Sequence, residues 1–299
     1  MIQALNVTKE FDNIIAVDNV TAEIKNGTVF GLIGTNGAGK STFLRMAAGI
    51  LKPDSGSIKI DNKEVFDNIE IKSKFFYISD EQFFFNNATP QDMKNYYCTI
   101  YKNFDTERYN KLMKSFGLDE KRKIKTFSKG MKKQVSVICG ICSKTDYLFC
   151  DETFDGLDPV VRQAVKSIFA QDIDERNLTP VIASHNLREL EDICDNIGIL
   201  HKGGMLLSKD LEDLKLDIHK IQIVFKDGIP EKLFNDLNII KTETRGSLSV
   251  LTIKGNGEHI NNYLSSLNPI FFEMLPLTLE EIFIVETEGI GYDIKSLII

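Results

Sequence analysis

Five cysteines in a chain of 299 residues are too few, and odd in number, for a disulfide framework, which excludes the small stapled secreted scaffolds. No uninterrupted apolar run approaches the ~20 residues that a membrane-spanning helix needs. Lys9, Glu10, Asp12, Asp18, Glu23 and Lys25 break up the first 30 residues, so a secretory signal is not expected either. A basic excess is also lacking. The 36 Lys+Arg against 43 Asp+Glu leave a net charge of −7, the wrong sign for a dedicated nucleic-acid binder. There is no internal repeat and no low-complexity segment. These absences predict a cytosolic globular protein, for which 42% hydrophobic and 26% charged residues are ordinary. The length, about twice a ~150-residue prior, predicts one large or two unequal domains.

What is present begins with short strands. Ile2–Val7 and Val17–Ile24 carry apolar residues at strand-like spacing, and Thr28–Ile33 is a compact apolar run of the kind found in a buried parallel strand. A glycine-rich turn follows, then a helix that stops before Lys52-Pro53. Segments 57–60 and 64–66 read as a small antiparallel pair, and helical spacing dominates from Pro90 to about Ser143. Tyr147–Cys150 and Thr179–Ala183 are further apolar strands, separated by a helix over Pro159–Arg176. Strands alternating with helices predict an α/β fold with a parallel sheet. After Met205 the texture changes, and the order β-α-β-β-α-β over 220–274 predicts a small split-βαβ module with a last short helix over Leu279–Val285. This module has no glycine-rich phosphate loop and no metal-ligand cluster, so chemistry is expected in the first part of the chain.

Gly34-Thr35-Asn36-Gly37-Ala38-Gly39-Lys40-Ser41 fits the pattern G-x-x-x-x-G-K-[ST], with Thr42 next, between a predicted strand and a predicted helix. The residue types suit phosphate. Glycines let successive backbone N–H groups curl round phosphate oxygens, Lys40 brings a point charge, and the Ser41 hydroxyl is a ligand for Mg²⁺. The helix start adds its positive dipole end. Further on, the apolar strand ending in Asp151-Glu152 has the form of the Walker-B element that accompanies such a loop. Asp151 is expected to hold the metal and Glu152 to polarise an attacking water. His185, at the end of another apolar strand, reads either as an ordinary polar cap or as a sensor of the γ-phosphate.

With these motifs in this order, residues 1–215 resemble the nucleotide-binding subunits of ABC transporters. Ser128-Lys129-Gly130-Met131 resembles the signature motif, Asp155-Gly156-Leu157-Asp158-Pro159 the D-loop, and Ala183-Ser184-His185 the switch histidine. Phe11 falls where the family stacks an aromatic on adenine. The resemblance implies a P-loop NTPase of the ABC cassette type: a RecA-like core with antiparallel β and helical subdomains. The small α+β βαββαβ domain at 216–299 would follow it. It also implies an ATPase using ATP and Mg²⁺. Two cassettes, identical or not, would pair head-to-tail, with the partner's Ser128 and Gly130 completing each site. Separate transmembrane permease subunits would dock on them, placing the chain on the inner face of the cell membrane. No nucleic-acid partner is expected.

Two departures from the family pattern stand out. The signature carries Lys129 and Met131 where a glycine and a glutamine are usual, a form that resembles bacterial exporter-type cassettes. Where the family has a glutamine contacting the metal and the membrane subunit, this chain has Asp80, with Gln82 two residues on; either one can fill that role. Phe83-Phe84-Phe85 follows, read either as a core plug or as a groove for a helix of the membrane subunit. Cys139 and Cys142 read as core residues and not as a redox pair. The basic run Lys121, Arg122, Lys123, Lys125, Lys129, Lys132 and Lys133 reads as either a solvated helix face or a local basic patch. The C-terminal module, ending in segment 277–283, resembles the extension on exporter cassettes of the antibiotic-efflux type, which favours export over import. The rival from another class is a soluble ABC-type ATPase acting on the ribosome or DNA, and a third reading is a slow-hydrolysing regulator.

Overall fold

The computed structural model describes residues 1–226 and 228–288. The chain divides into two compact units, Met1–Ser208 and Lys209–Ile299. The division expected after residue 215 falls inside the helix Leu211–Asp217, whose Leu211 and Leu214 are buried.

In the first unit, β1 (Ile2–Phe11) pairs antiparallel with β2 (Ile14–Ile24). After β3 (Phe30–Ile33) and α1 (Lys40–Ala47), β4 (Ser55–Ile60) returns to the other edge of β1, and β5 (Lys63–Glu64) completes a four-stranded sheet of order β2-β1-β4-β5. After α2 (Ile69–Lys72), the second sheet joins β3 to β6 (Phe75–Ile78), β7 (Tyr147–Asp151), β8 (Thr179–Ser184), β9 (Asn196–His201) and β10 (Gly204–Asp210). Its order is β10-β9-β3-β8-β7-β6, and β9, β3, β8, β7 and β6 are mutually parallel. Every residue of β3, β7 and β8 is buried, because a parallel sheet covered on both faces needs continuous apolar strands. The antiparallel sheet instead buries one face: Ile2, Ala4, Val7, Val17 and Val20 point inward. The apolar side of α1 (Phe43, Leu44, Ala47) joins those residues to Phe149, Val181 and Ala183 of the parallel sheet in one core.

The helical segment contains α3 (Pro90–Ile100), α4 (Thr106–Ser115) and α5 (Lys129–Cys142). Thr89 and Asp92 form a reciprocal capping box at the start of α3, with Pro90 in the first turn. Cys139 and Cys142 are buried on α5, and burial pushes the Cys142 thiol up to about 12, which makes both inert core residues. Beyond β7, α6 (Pro159–Arg176) runs to β8, and α7 (Leu187–Glu191) follows it. Asp172 of α6 is almost fully buried, bonded to Arg108 of α4 at 2.6 Å and to Arg176 at 2.9 Å. Removing this carboxylate leaves two guanidinium groups without their shared partner. Asp172→Ala is expected to cost about 3 kcal/mol, the low end of the range for broken buried pairs because both arginines keep some solvent. For a unit of about 200 residues that is a fall on the order of 6–12 °C in melting temperature, measurable by calorimetry.

The second unit starts with α8 (Leu211–Asp217) and β11 (Ile218–Val224). It continues through α9 (Lys232–Asp236), β12 (Asn238–Arg245), β13 (Leu248–Lys254), α10 (Gly257–Ser266) and β14 (Phe271–Leu275) to α11 (Leu279–Glu288). The sheet order is β12-β13-β11-β14, with each neighbouring pair antiparallel. This is the split-βαβ arrangement: each helix connects two strands that have a third between them. Ile221, Ile223, Leu251 and Ile253 pack with Leu233, Ile260 and Leu264 as this unit's own core.

Candidate nucleotide-binding site

The site lies at the carboxyl ends of β3, β7 and β8, where ligands bind in open α/β sheets. The loop from β3 to α1 needs glycine for steric reasons. Gly39 sits at φ +101°, and a Cβ there would lie 2.3 Å from the Ala16 carbonyl oxygen; at Gly34 it would lie 2.6 Å from that of Leu200. Gly37, at φ +79°, has no atom within 4 Å of such a Cβ, so the crest of the loop opens onto free space. The Lys40 ammonium reaches back along the loop to the carbonyls of Gly34 at 2.8 Å and Thr35 at 3.2 Å, and lies 3.4 Å from Glu152 Oε1.

Ser41 Oγ donates to Asp151 Oδ1 at 2.8 Å, and the Tyr77 hydroxyl donates to Asp151 Oδ2 at 3.0 Å. Burial holds the Asp151 carboxyl above the usual carboxylate range, while the hydrogen bonds from Ser41 and Tyr77 pull it back down. Glu152 adopts φ +47°, and its N–H donates to the Ala183 carbonyl at 3.0 Å. This backbone turns the side chain out of the sheet end, where Glu152 Oε2 meets His185 Nδ1 at 2.8 Å. Carboxylate and ring atoms of Glu152, Asp155 and His185 lie within 4.8 Å of one another.

The residues fit a nucleotide phosphate with a hard divalent cation. Ser41 and Asp151 offer the hydroxyl and carboxylate oxygens such a cation takes. Lys40 and the start of α1 supply positive charge beside the loop crest, which is open at Gly37.

The structure therefore brings together Gly34 to Thr42, Asp151, Glu152, Asp155 and His185. Phe11 ends β1, paired with Ile14 of the hairpin whose Ala16 packs on Gly39; its ring is 43% exposed and the Lys9 ammonium sits 5.4 Å above it. The signature residues are on a separate element. Ser128 caps α5 by accepting from the Met131 N–H at 3.2 Å, and Ser128 and Lys129 are exposed. A Cβ at Gly130 would lie 3.0 Å from the Gly156 carbonyl, so the signature turn and the D-loop of one chain are neighbours. Asp158 caps α6, accepting from the N–H groups of Val160 and Val161, and Leu157 is buried below it.

At the loop after β6, Gln82 turns its amide back to the carbonyls of Ser79 at 3.1 Å and Asp80 at 2.6 Å. Asp80 instead pairs with Lys133 at 3.2 Å. The core-plug reading of the three phenylalanines fails for two of them. Phe83 is 72% and Phe85 42% exposed, and they stack edge-on in a row with Tyr96. The basic run is not one solvated face either, since Lys133 is fully buried and Arg122 lies over the Phe127 ring. Sequence reasoning missed Tyr77 and Lys133 as members of the site. Lys133 was hidden among lysines, its only signal the helical spacing that puts it with buried Val137.

The family model for ABC transporters matches residues 17–155. The chain is 30% identical over 289 residues to the ABC transporter ATP-binding protein YtrB of Bacillus subtilis, covering 97% of this chain and 99% of that one. It is 30% identical to the bacitracin transport ATP-binding protein BcrA of Bacillus licheniformis, over 72% of this chain and 71% of that protein. It is also 28% identical to the methionine import ATP-binding protein MetN 2 of Bacillus cereus, over 89% and 83%. A solved ATP-binding subunit of an ABC transporter superposes with a TM-score of 0.66 at 25% identity, covering 72% of this chain and 92% of its own. The protein thus belongs to the ATP-binding subunits of ABC transporters and is an ATPase.

Proposed function

We propose that this chain powers export through separate membrane subunits, working as one of a pair of cassettes on the inner face of the cell membrane. The observation that carries the catalytic part is the convergence of Glu152 with His185 at 2.8 Å and Lys40 at 3.4 Å, beside the Ser41–Asp151 contact of 2.8 Å. Lys40 and the loop 34–39 hold the phosphates, while Ser41 and Asp151 hold Mg²⁺. When bound, the cation draws charge from the phosphate oxygens. Glu152 accepts a proton from the attacking water, and His185 orients that carboxylate. Phe11 supports the adenine. Ser128 and the N–H groups at the start of α5 meet the phosphate bound to the paired cassette, since they lie exposed on a different element from their own chain's loop.

Among the described residues no helix is long and apolar enough to cross a membrane, so the transport path is assigned to other chains. Export rests on the exporter-like signature SKGM and on the C-terminal extension. The relatives' names point both ways, to bacitracin transport and to methionine import. Affinity capture of the chain from detergent-solubilised membranes tests the partner, with a polytopic protein expected in near-equal amount. A ribosomal or DNA-repair partner overturns the transporter reading, and ATP-driven uptake into inside-out vesicles carrying the complex tests direction.

The exposed Phe83 is assigned to the contact with the membrane subunit. Phe83→Ala is expected to change stability by less than about 0.5 kcal/mol, as at other exposed sites. It should leave basal hydrolysis nearly unchanged and lower transport several-fold. Equal losses of both activities would remove the contact role.

A further inference from the structure

A fully buried lysine needs an account. Lys133 lies one turn inside α5, with its side chain inaccessible to solvent. An ammonium out of water costs several kcal/mol unless charged and polar partners replace its hydration. Lys133 has two such partners. Its Nζ donates to the Glu152 backbone carbonyl and to Asp80 Oδ1, the latter at 3.2 Å. Both partners sit at equivalent places. β6 and β7 are parallel neighbours with Ile78 opposite Cys150, and Asp80 and Glu152 are each two residues beyond that pair. The lysine therefore bridges the ends of two adjacent strands. One end leads into the loop with the exposed Phe83 and Phe85. The other carries the carboxylate bonded to His185.

We propose that Lys133 is a positioning residue for Glu152, its buried ammonium clamping the Glu152 carbonyl to the Asp80 carboxylate so that the 79–85 loop and the Glu152 side chain shift together. The geometry gives the clamp leverage. Glu152 stands at φ +47°, a left-handed conformation that is uncommon for residues other than glycine, asparagine and aspartate. The Ala183 carbonyl fixes its N–H side and Lys133 fixes its C=O side. Freeing the carbonyl lets the peptide rotate and swings the carboxylate away from the attacking water. Asp80 is 47% exposed, so it transmits a displacement of the loop and remains open to contact from outside. The pair is also neutral overall, so the clamp adds no net charge beside the phosphates.

The proposal rests on the role assigned to Glu152, and the test separates the two. Hydrolysis by the full chain is measured under single-turnover conditions for Lys133→Met, Asp80→Asn, the double variant and Glu152→Gln, with nucleotide affinity measured alongside. Lys133→Met keeps the stem and removes the charge. It is expected to lower the rate on the order of tenfold, as small misplacements of reacting groups do, with affinity within about twofold. Asp80→Asn should lower the rate several-fold. The double variant should be no slower than Lys133→Met alone, because Asp80 acts on Glu152 only through the lysine. Multiplying effects would overturn the clamp and give Asp80 an independent role at the metal. A wild-type rate in Lys133→Met also overturns it, as does a fall in melting temperature with the rate intact. Asp80→Asn alters a half-exposed side chain, so it reads out even if Lys133→Met fails to fold, and an unchanged rate there rejects the proposal. If Glu152→Gln hydrolyses normally, the assignment of Glu152 itself fails. If it is inactive while the Lys133 and Asp80 variants are normal, only the clamp is lost.

Discussion

Glu152→Gln is expected to reduce ATP hydrolysis by at least about a hundredfold while leaving nucleotide affinity close to that of the parent, in keeping with the 10²–10⁴ that a positioned general base contributes. The substitution preserves shape. Glutamine retains an oxygen toward Lys40, which lies 3.4 Å from Glu152 Oε1, and keeps a polar atom toward His185 at 2.8 Å from Oε2. The backbone is unaffected, because the Glu152 N–H and carbonyl are bonded to Ala183 and Lys133 through main-chain atoms. What disappears is the basic carboxylate, the part that the proposed general-base role needs. Phosphate release at saturating Mg·ATP gives the rate, and a fluorescent nucleotide gives the affinity. A loss of rate with unchanged affinity is the signature of an interaction made only in the transition state. Equal losses of both would mean that Glu152 holds the loop rather than the water.

Lys40→Ala is expected to act on the other side of that split. Its side chain is 5% exposed, with the ammonium held by the Gly34 and Thr35 carbonyls at 2.8 and 3.2 Å along the loop proposed to receive phosphate. A hydrogen bond to a charged group contributes about 1.5–3 kcal/mol, so nucleotide affinity should fall roughly 10–150-fold. The loss should be steeper for the triphosphate than for the monophosphate, since the proposed role sets the lysine against the distal phosphates. Equal weakening of both nucleotides would place the lysine's contribution in loop structure instead. The protein without nucleotide should melt within a few degrees of the parent.

Much of this site could be read from residue order. The glycines of 34–39 are spaced for a backbone that excludes Cβ atoms, and the structure puts steric obstacles at two of them, Gly34 and Gly39. Asp151 and Glu152 end an apolar run because a buried parallel strand must emerge before it can present carboxylates. Local rules also covered Pro90 and Pro159 at helix starts, where the fixed φ of proline suits the first turn. The strands β6 and β9 are harder to read. FFYI and NIGILH are short apolar runs that strand and helix share, and only pairing with β7 and β3 decides them.

The sequence by itself determined the glycine-rich loop between strand and helix, the α/β alternation and the split-βαβ order of the second unit, because each depends on residue types at short spacings. The tertiary structure alone decided which charges face water. Lys133 is one lysine in a basic run until α5 packs against the ends of β6 and β7 and buries its ammonium between Asp80 and Glu152. Tyr77 belongs to a strand pattern until its hydroxyl meets Asp151, and Phe83 reads as core plug or docking groove until the loop leaves it exposed. Burial and partnership are set by segments distant in the chain, and no local pattern carries their positions.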